Sequence, residues 1–135
     1  MPAAAVPISP MVDLEATGQS MVTRADADPM IDRAMALEIV QLFLGDGDRR
    51  DPHAAPLHGD LTGLPPLLIQ VGDAEVLLDD SVRLADAARA AGVDVTLEVW
   101  PEMFHVWHVF AGRVPESTAA VEQVGQFIRA AIAGA

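Results

Sequence analysis

The run LLIQVG at 67–72 is apolar but for one glutamine and ends in glycine. A strand of that kind must be covered on both faces, and two-sided cover calls for helices packed above and below a sheet. The flanking sequence supplies them. DDSVRLADAARAAG (79–92) sets Leu84, Ala88 and Ala91 on one helical face, with Asp79 or Asp80 expected as N-cap and Gly92 as the stop. VDVTLEVW (93–100) alternates Val93, Val95, Leu97 and Val99 with polar or amphipathic residues, the period of a strand with one wetter face.

AAAVPIS (3–9) reads as a further short buried strand despite Pro7, and PMVDLEATGQS (10–20) as a loop. Two more helices complete the pattern. In DADPMIDRAMALEIVQLFLGDGD, Asp28 is the expected N-cap, Pro29 the first helical residue and Gly45 the residue past the end, giving a helix over 29–45. Met35, Ile39, Leu42 and Phe43 would form its buried face. The closing PESTAAVEQVGQFIRAAIAGA (115–135) would bury Val121, Val124, Phe127, Ile128 and Ala131. Between them, residues 46–66 form a long, proline- and glycine-rich loop of the kind that often carries function. The order is strand, helix, three times over. Parallel strands need such crossovers, so the expected class is α/β with about three parallel strands and crossover helices.

With 135 residues the chain is one domain or part of one. Its formal net charge of -12 would repel phosphate backbones and anionic lipid, which makes nucleic acid and membrane surfaces poor partners. There is no cysteine, so disulfides and thiolate metal sites are excluded. The opening MPAAAVPISP lacks a basic region and a long apolar stretch, and no run approaches the about 18 apolar residues of a membrane span. A cytoplasmic protein is the expectation.

In open α/β sheets ligands bind beyond the carboxyl ends of the strands. Two segments place titratable groups there, GDAEVLLDD after the second strand and PEMFHVWH after the third. Adjacent parallel strands would bring Glu75 to His105, and a carboxylate beside an imidazole fixes a tautomer and stabilises an imidazolium. The plain alternative is that His105 is a packed structural residue, that Asp79 and Asp80 are helix caps, and that Asp73 is a turn former. His105 and His108 lack a third ligand at recognisable spacing, and Trp107 between them points to packing, so no metal is expected. The serines, at 9, 20, 81 and 117, all lie outside a G-x-S-x-G context, and no glycine run with a histidine offers oxyanion-hole amides.

The blocks LPPLLIQVG, EVLLDDS and HVWH, in this order and spacing, together with AAAVPISPMVDLEATGQSM and AAVEQVGQFI, resemble the carboxy-terminal portion of the bacterial hormone-sensitive-lipase-like esterases. The resemblance covers essentially the whole chain. It implies a partial α/β-hydrolase fold and the hydrolysis of short-chain esters or lactones by a Ser-acid-His triad, without cofactor. Residue by residue, it places Glu75 on the acid's position in AEVLLDD, with Asp73 as the rival. Met103-Phe104-His105 falls on the family's M-x-H turn, which makes His105 the base and His108 a packed neighbour. The helix over 29–45 corresponds to part of the cap over the acyl pocket, with Met30, Met35, Phe43 and Phe104 as pocket candidates.

The departures are as informative. Family members run to about twice this length, and their nucleophile elbow and oxyanion-hole glycines precede the strand that opens here. Phe104 stands where proline is common. The first expectation is therefore a hydrolase-lineage chain that keeps acid and base, is inactive alone, and needs a missing amino-terminal half to supply the serine. The second is a non-catalytic module derived from a hydrolase that forms a homodimer through an exposed sheet edge. A free-standing small-ligand binder, its pocket closed by the cap helix and the long loop, is the third.

Overall fold

A computed structural model describes residues 2–134. Its centre is a pair of parallel strands, β1 (Leu67–Gly72) and β2 (Val95–Trp100), in register from Leu67 opposite Val95 to Gly72 opposite Trp100. Every residue of β1 is buried, as its composition demands. The segment around 5–9 runs parallel to the other side of β1, joined by isolated bridges from Ala5 to Leu67 and from Ile8 to Gln70. Ala5 N–H donates to Pro66, and Ser9 N–H to Gln70. Pro7, between them, has no N–H to give, so the third strand expected at 3–9 forms as two bridges and not as a continuous ladder.

Helix α1 (Ser20–Thr23) is a single turn that begins at the last residue of the stretch expected to be loop. Helix α2 spans Arg33–Leu44, and its cap is Asp32, whose side chain accepts from Met35 N–H at 2.8 Å. The start expected at Pro29 is thus displaced. Asp28 accepts from Met30 and Ile31 N–H through one oxygen and from Val76 N–H, in a distant loop, through the other. It is a tether, not a cap. The buried face of α2 is also different. Ala36 and Val40 are enclosed, whereas Met35, Ile39, Leu42 and Phe43 are exposed, Phe43 by 72%. Helical periodicity shows that two stripes can exist, but the packing against Leu14 and Ala55 selects the one with the smaller side chains.

Helix α3 (Leu78–Ala90) crosses from β1 to β2. Neither Asp79 nor Asp80 caps it. Both lie in its first turn, where the helix dipole favours them, and their carboxylates reach out to other chain segments. Leu84, Ala85 and Ala88 pack on Leu67 and Ile69, joined by Val12, Leu61 and Val93. Gly92, at φ 80°, turns the chain back, and β2 begins at Val95. Helix α4 (Pro115–Ala133) covers the opposite face, where Gln70 reaches the Ala120 carbonyl. Only Ser117 and Ala120 of α4 are fully buried. Val124, Phe127 and Ala131 are half-buried, and Val121 and Ile128 are exposed. The helix is about 28 Å long against about 20 Å for a six-residue strand, so its far half outruns the sheet.

The α2 assignment is testable. Val40→Ala should lower the unfolding free energy by about 2 kcal/mol, while Phe43→Ala should change it by less than about 0.5 kcal/mol, read from urea midpoints at constant slope.

Candidate active site

The carboxyl ends of β1 and β2 feed two loops that are stitched together. Asp73 N–H donates to Trp100, Ala74 N–H donates to Met103, and Glu102 N–H donates to Asp73 Oδ1 at 2.7 Å. This close seam needs Gly72. A Cβ at that position would lie 2.0 Å from the Met103 carbonyl oxygen, a backbone atom that cannot swing aside.

Within the seam, Glu75 is wholly buried and faces His105, with Oε2 3.1 Å from Nδ1. Its other oxygen accepts from Gly72 N–H at 2.6 Å and from the Ser9 hydroxyl at 2.9 Å. A buried carboxylate is tolerable only when donors replace its water, and here three segments of the chain supply them. Of the two carboxylates proposed from sequence, Asp73 is spent on the Glu102 backbone and Glu75 meets the imidazole. With Glu75 ionised, and so an acceptor only, the proton of His105 sits on Nδ1 and the lone pair on Nε2. The His105 side chain is 20% exposed, so one edge of the ring is open to solvent.

The acid loop is held from behind as well. Ser20 Oγ donates to the Val76 carbonyl at 2.6 Å and accepts from Asp79 N–H, while Asp28 takes Val76 N–H. Asp79 accepts from Ser20 N–H, and Asp80 accepts from Val12 and Asp13 N–H at 2.8 and 3.0 Å. Burial pushes the Asp80 carboxyl up, aided by the negative charge of Asp13 and opposed by the two N–H groups, and its second oxygen has no partner among the described residues. Asp13 behaves oppositely. Burial alone would raise it, but the Thr17 hydroxyl, the Arg83 guanidinium and the Thr17 and Glu15 N–H groups together hold it at about 2.

On the histidine side, Val106 adopts φ 51°, a left-handed conformation unusual for a β-branched residue, and its N–H donates to Ser9 Oγ at 3.1 Å. His108 is buried, packs at a tilt against Trp107 with ring centres 4.0 Å apart, and meets Gln70 Oε1 through Nε2 at 2.8 Å. Gln70 in turn donates to Glu98, which also accepts from Trp100 Nε1. Burial depresses the His108 pKa, opposed by the negative charge of Glu75. The four pocket candidates are scattered. Met30, Met35 and Phe43 are exposed, and Phe104 is half-buried with its ring 5.8 Å from that of Phe110.

Sequence reasoning weighed Ser9 and Ser20 only as nucleophiles, read Asp28 as a helix cap and Gly72 as a strand end, and gave none of them a place in the site. The available signal was position: Ser9 also follows a strand at the carboxyl edge of the sheet, where site loops gather.

A family profile described as alpha/beta hydrolase fold matches residues 1–109. The chain belongs to the α/β-hydrolase fold family. An acetyl-hydrolase of Streptomyces hygroscopicus is 51% identical over 131 residues, spanning 97% of this chain and 44% of that protein. An esterase of Acinetobacter venetianus is 34% identical over 128 residues, spanning 94% of this chain and 42% of its own. The crystal structure of an esterase from the bacterial hormone-sensitive lipase family superposes with a TM-score of 0.96 at 48% identity, covering 98% of this chain and 44% of that one. The chain therefore spans less than half the length of these relatives, which are an acetyl-hydrolase and two esterases.

Two outcomes follow from the site's construction. Gly72→Ala should cost about 3 kcal/mol or more of stability, measured by urea unfolding, because the clash is with backbone. His108, with its folded pKa below the ordinary 6.5, favours the fold when neutral. Stability should therefore fall as pH is lowered from about 6.5, and His108→Gln should flatten that part of the profile.

Proposed function

We propose that this chain carries the acid and the base of an ester-hydrolysing Ser-acid-His triad, Glu75 and His105, within the carboxy-terminal portion of an esterase. The observation that carries this reading is the contact of fully buried Glu75 with His105 Nδ1 at the carboxyl end of the sheet. In the proposed reaction His105 Nε2 takes the proton of an attacking serine hydroxyl as it adds to the ester carbonyl. The same nitrogen returns the proton to the departing alcohol, and the cycle repeats with water on the acyl-enzyme. Glu75 holds the ring in the required tautomer and offsets the imidazolium charge.

The nucleophile of this scheme comes from outside the 135 residues. Serines 9, 20, 81 and 117 are each no more than 3% exposed, and Ser9 hydrogen-bonds to Glu75, not to His105. The partner in this proposal is the amino-terminal portion of a hydrolase carrying G-x-S-x-G and the oxyanion-hole amides, and the substrate is a small ester or lactone. The exposed apolar side chains of α2, including Met35 and Phe43, are compatible with this, since α2 as part of a cap would turn them toward the acyl group or toward that missing portion.

A fluorophosphonate probe should label none of the serines of the isolated chain. Joined or co-expressed with the amino-terminal portion of a related esterase, the chain should support hydrolysis of a short-chain nitrophenyl ester. His105→Ala should then abolish turnover, Glu75→Gln should lower kcat by roughly 10²- to 10⁴-fold, and Asp73→Asn should stay within a few-fold of wild type. Labelling of a serine in the isolated chain, or turnover that survives His105→Ala, would overturn the assignment.

A further inference from the structure

We infer that Ser9 is a positioning residue for the Glu75–His105 pair, its hydroxyl bridging the carboxylate and the backbone that carries the imidazole. The inference rests on the reading of Glu75 and His105 as acid and base and extends it to a third side chain. Ser9 is 3% exposed, and both capacities of its hydroxyl are used. The proton goes to Glu75 Oε1 at 2.9 Å, and a lone pair accepts from Val106 N–H at 3.1 Å. Val106 is the residue after His105, so a single oxygen ties the acid to the loop that presents the base.

The geometry on both sides of this bridge is costly. Ser9 sits at φ 44° and Val106 at φ 51°, both in the left-handed region, which a β-branched residue rarely adopts. Two strained residues that face each other through one hydrogen bond persist only where the surroundings hold them. The ladder bond from Ser9 N–H to Gln70 fixes the backbone of the first segment, so the hydroxyl is delivered from a rigid point. With its proton committed to Glu75 and its side chain closed off from solvent, the Ser9 hydroxyl is separated from the role of a nucleophile. Without the hydroxyl, Glu75 keeps only Gly72 N–H and His105 as partners, and the carboxylate is free to rotate away from the ring.

Strain and hydrogen bonding can be separated by substitution in the 135-residue chain. Ser9→Gly removes the hydroxyl but relieves the positive φ, whereas Ser9→Thr keeps a hydroxyl and adds a β-branch that this φ disfavours. The readouts are the His105 Nδ1–H resonance in ¹⁵N-histidine NMR, assigned by its loss in His105→Gln, together with Val106 amide exchange and the urea midpoint. Ser9→Gly should be as stable as wild type or nearly so. It should nevertheless lose the protected imidazole resonance and exchange the Val106 amide roughly fivefold faster, as expected for one net hydrogen bond. Ser9→Thr should be less stable yet keep the resonance. A residue with only a structural role would move signal and stability together. Ser9→Ala, which keeps the Cβ, should match Ser9→Gly in signal and serves if Ser9→Thr does not fold. Persistence of the resonance and of Val106 protection in Ser9→Gly and Ser9→Ala would overturn the role of Ser9 alone. Absence of the resonance from the wild-type chain would overturn the Glu75–His105 pairing and the inference with it.

Discussion

A carboxylate with no exposed surface is the constraint around which this chain is arranged. Glu75 cannot be stripped of water without replacement donors, and a buried charge left unmet would cost several kcal/mol. The donors come from far-separated parts of the sequence: Gly72 N–H three residues before, Ser9 from the first segment, and His105 from the loop after β2. Meeting that requirement brings three carboxyl-end loops to one point. Gly72 is forced by it, because the Met103 backbone must pass where a Cβ would stand.

A second layer of polar contacts holds the acid loop from the opposite side. Ser20, Asp28, Asp79 and Asp80 all bind backbone groups of remote segments, and none of the three aspartates caps a helix of eight residues or more. The segment 12–31 and the loop 73–80 are thereby fastened as one unit, with Met21, Val76 and Leu77 packed between them. Any movement of the region before α2 is therefore felt at Val76, the neighbour of Glu75.

Much of the fold was legible in the sequence. The uninterrupted apolar character of LLIQVG required two-sided burial, and the alternation in VDVTLEVW required a second strand, because side-chain periodicity follows directly from backbone geometry. The pairing of Glu75 with His105 was legible for a related reason. Parallel neighbours in register carry their exit loops to the same edge, so residues thirty positions apart could be matched by strand order alone. What failed were assignments that depend on the surroundings. Asp79 and Asp80 have cap-forming side chains, but remote backbone N–H groups take their oxygens, while Asp28 turns the chain locally with one oxygen and holds Val76 with the other. Phe43 and Ile128 lie on apolar stripes, but an amphipathic pattern does not state how far the neighbouring sheet extends.

The sequence by itself determined the three long helices, the two paired strands with their parallel order, and the residue chemistry at the sheet's carboxyl edge, since these depend on local periodicity and on chain connectivity. Only the tertiary structure decided between Asp73 and Glu75 as the partner of His105, selected Ala36 and Val40 as the inner face of α2, and gave Ser9 its place between acid and histidine loops. Each of those outcomes depends on distances between segments separated by many residues. Such distances are set by packing and by the satisfaction of buried polar groups, which no local pattern of residues encodes.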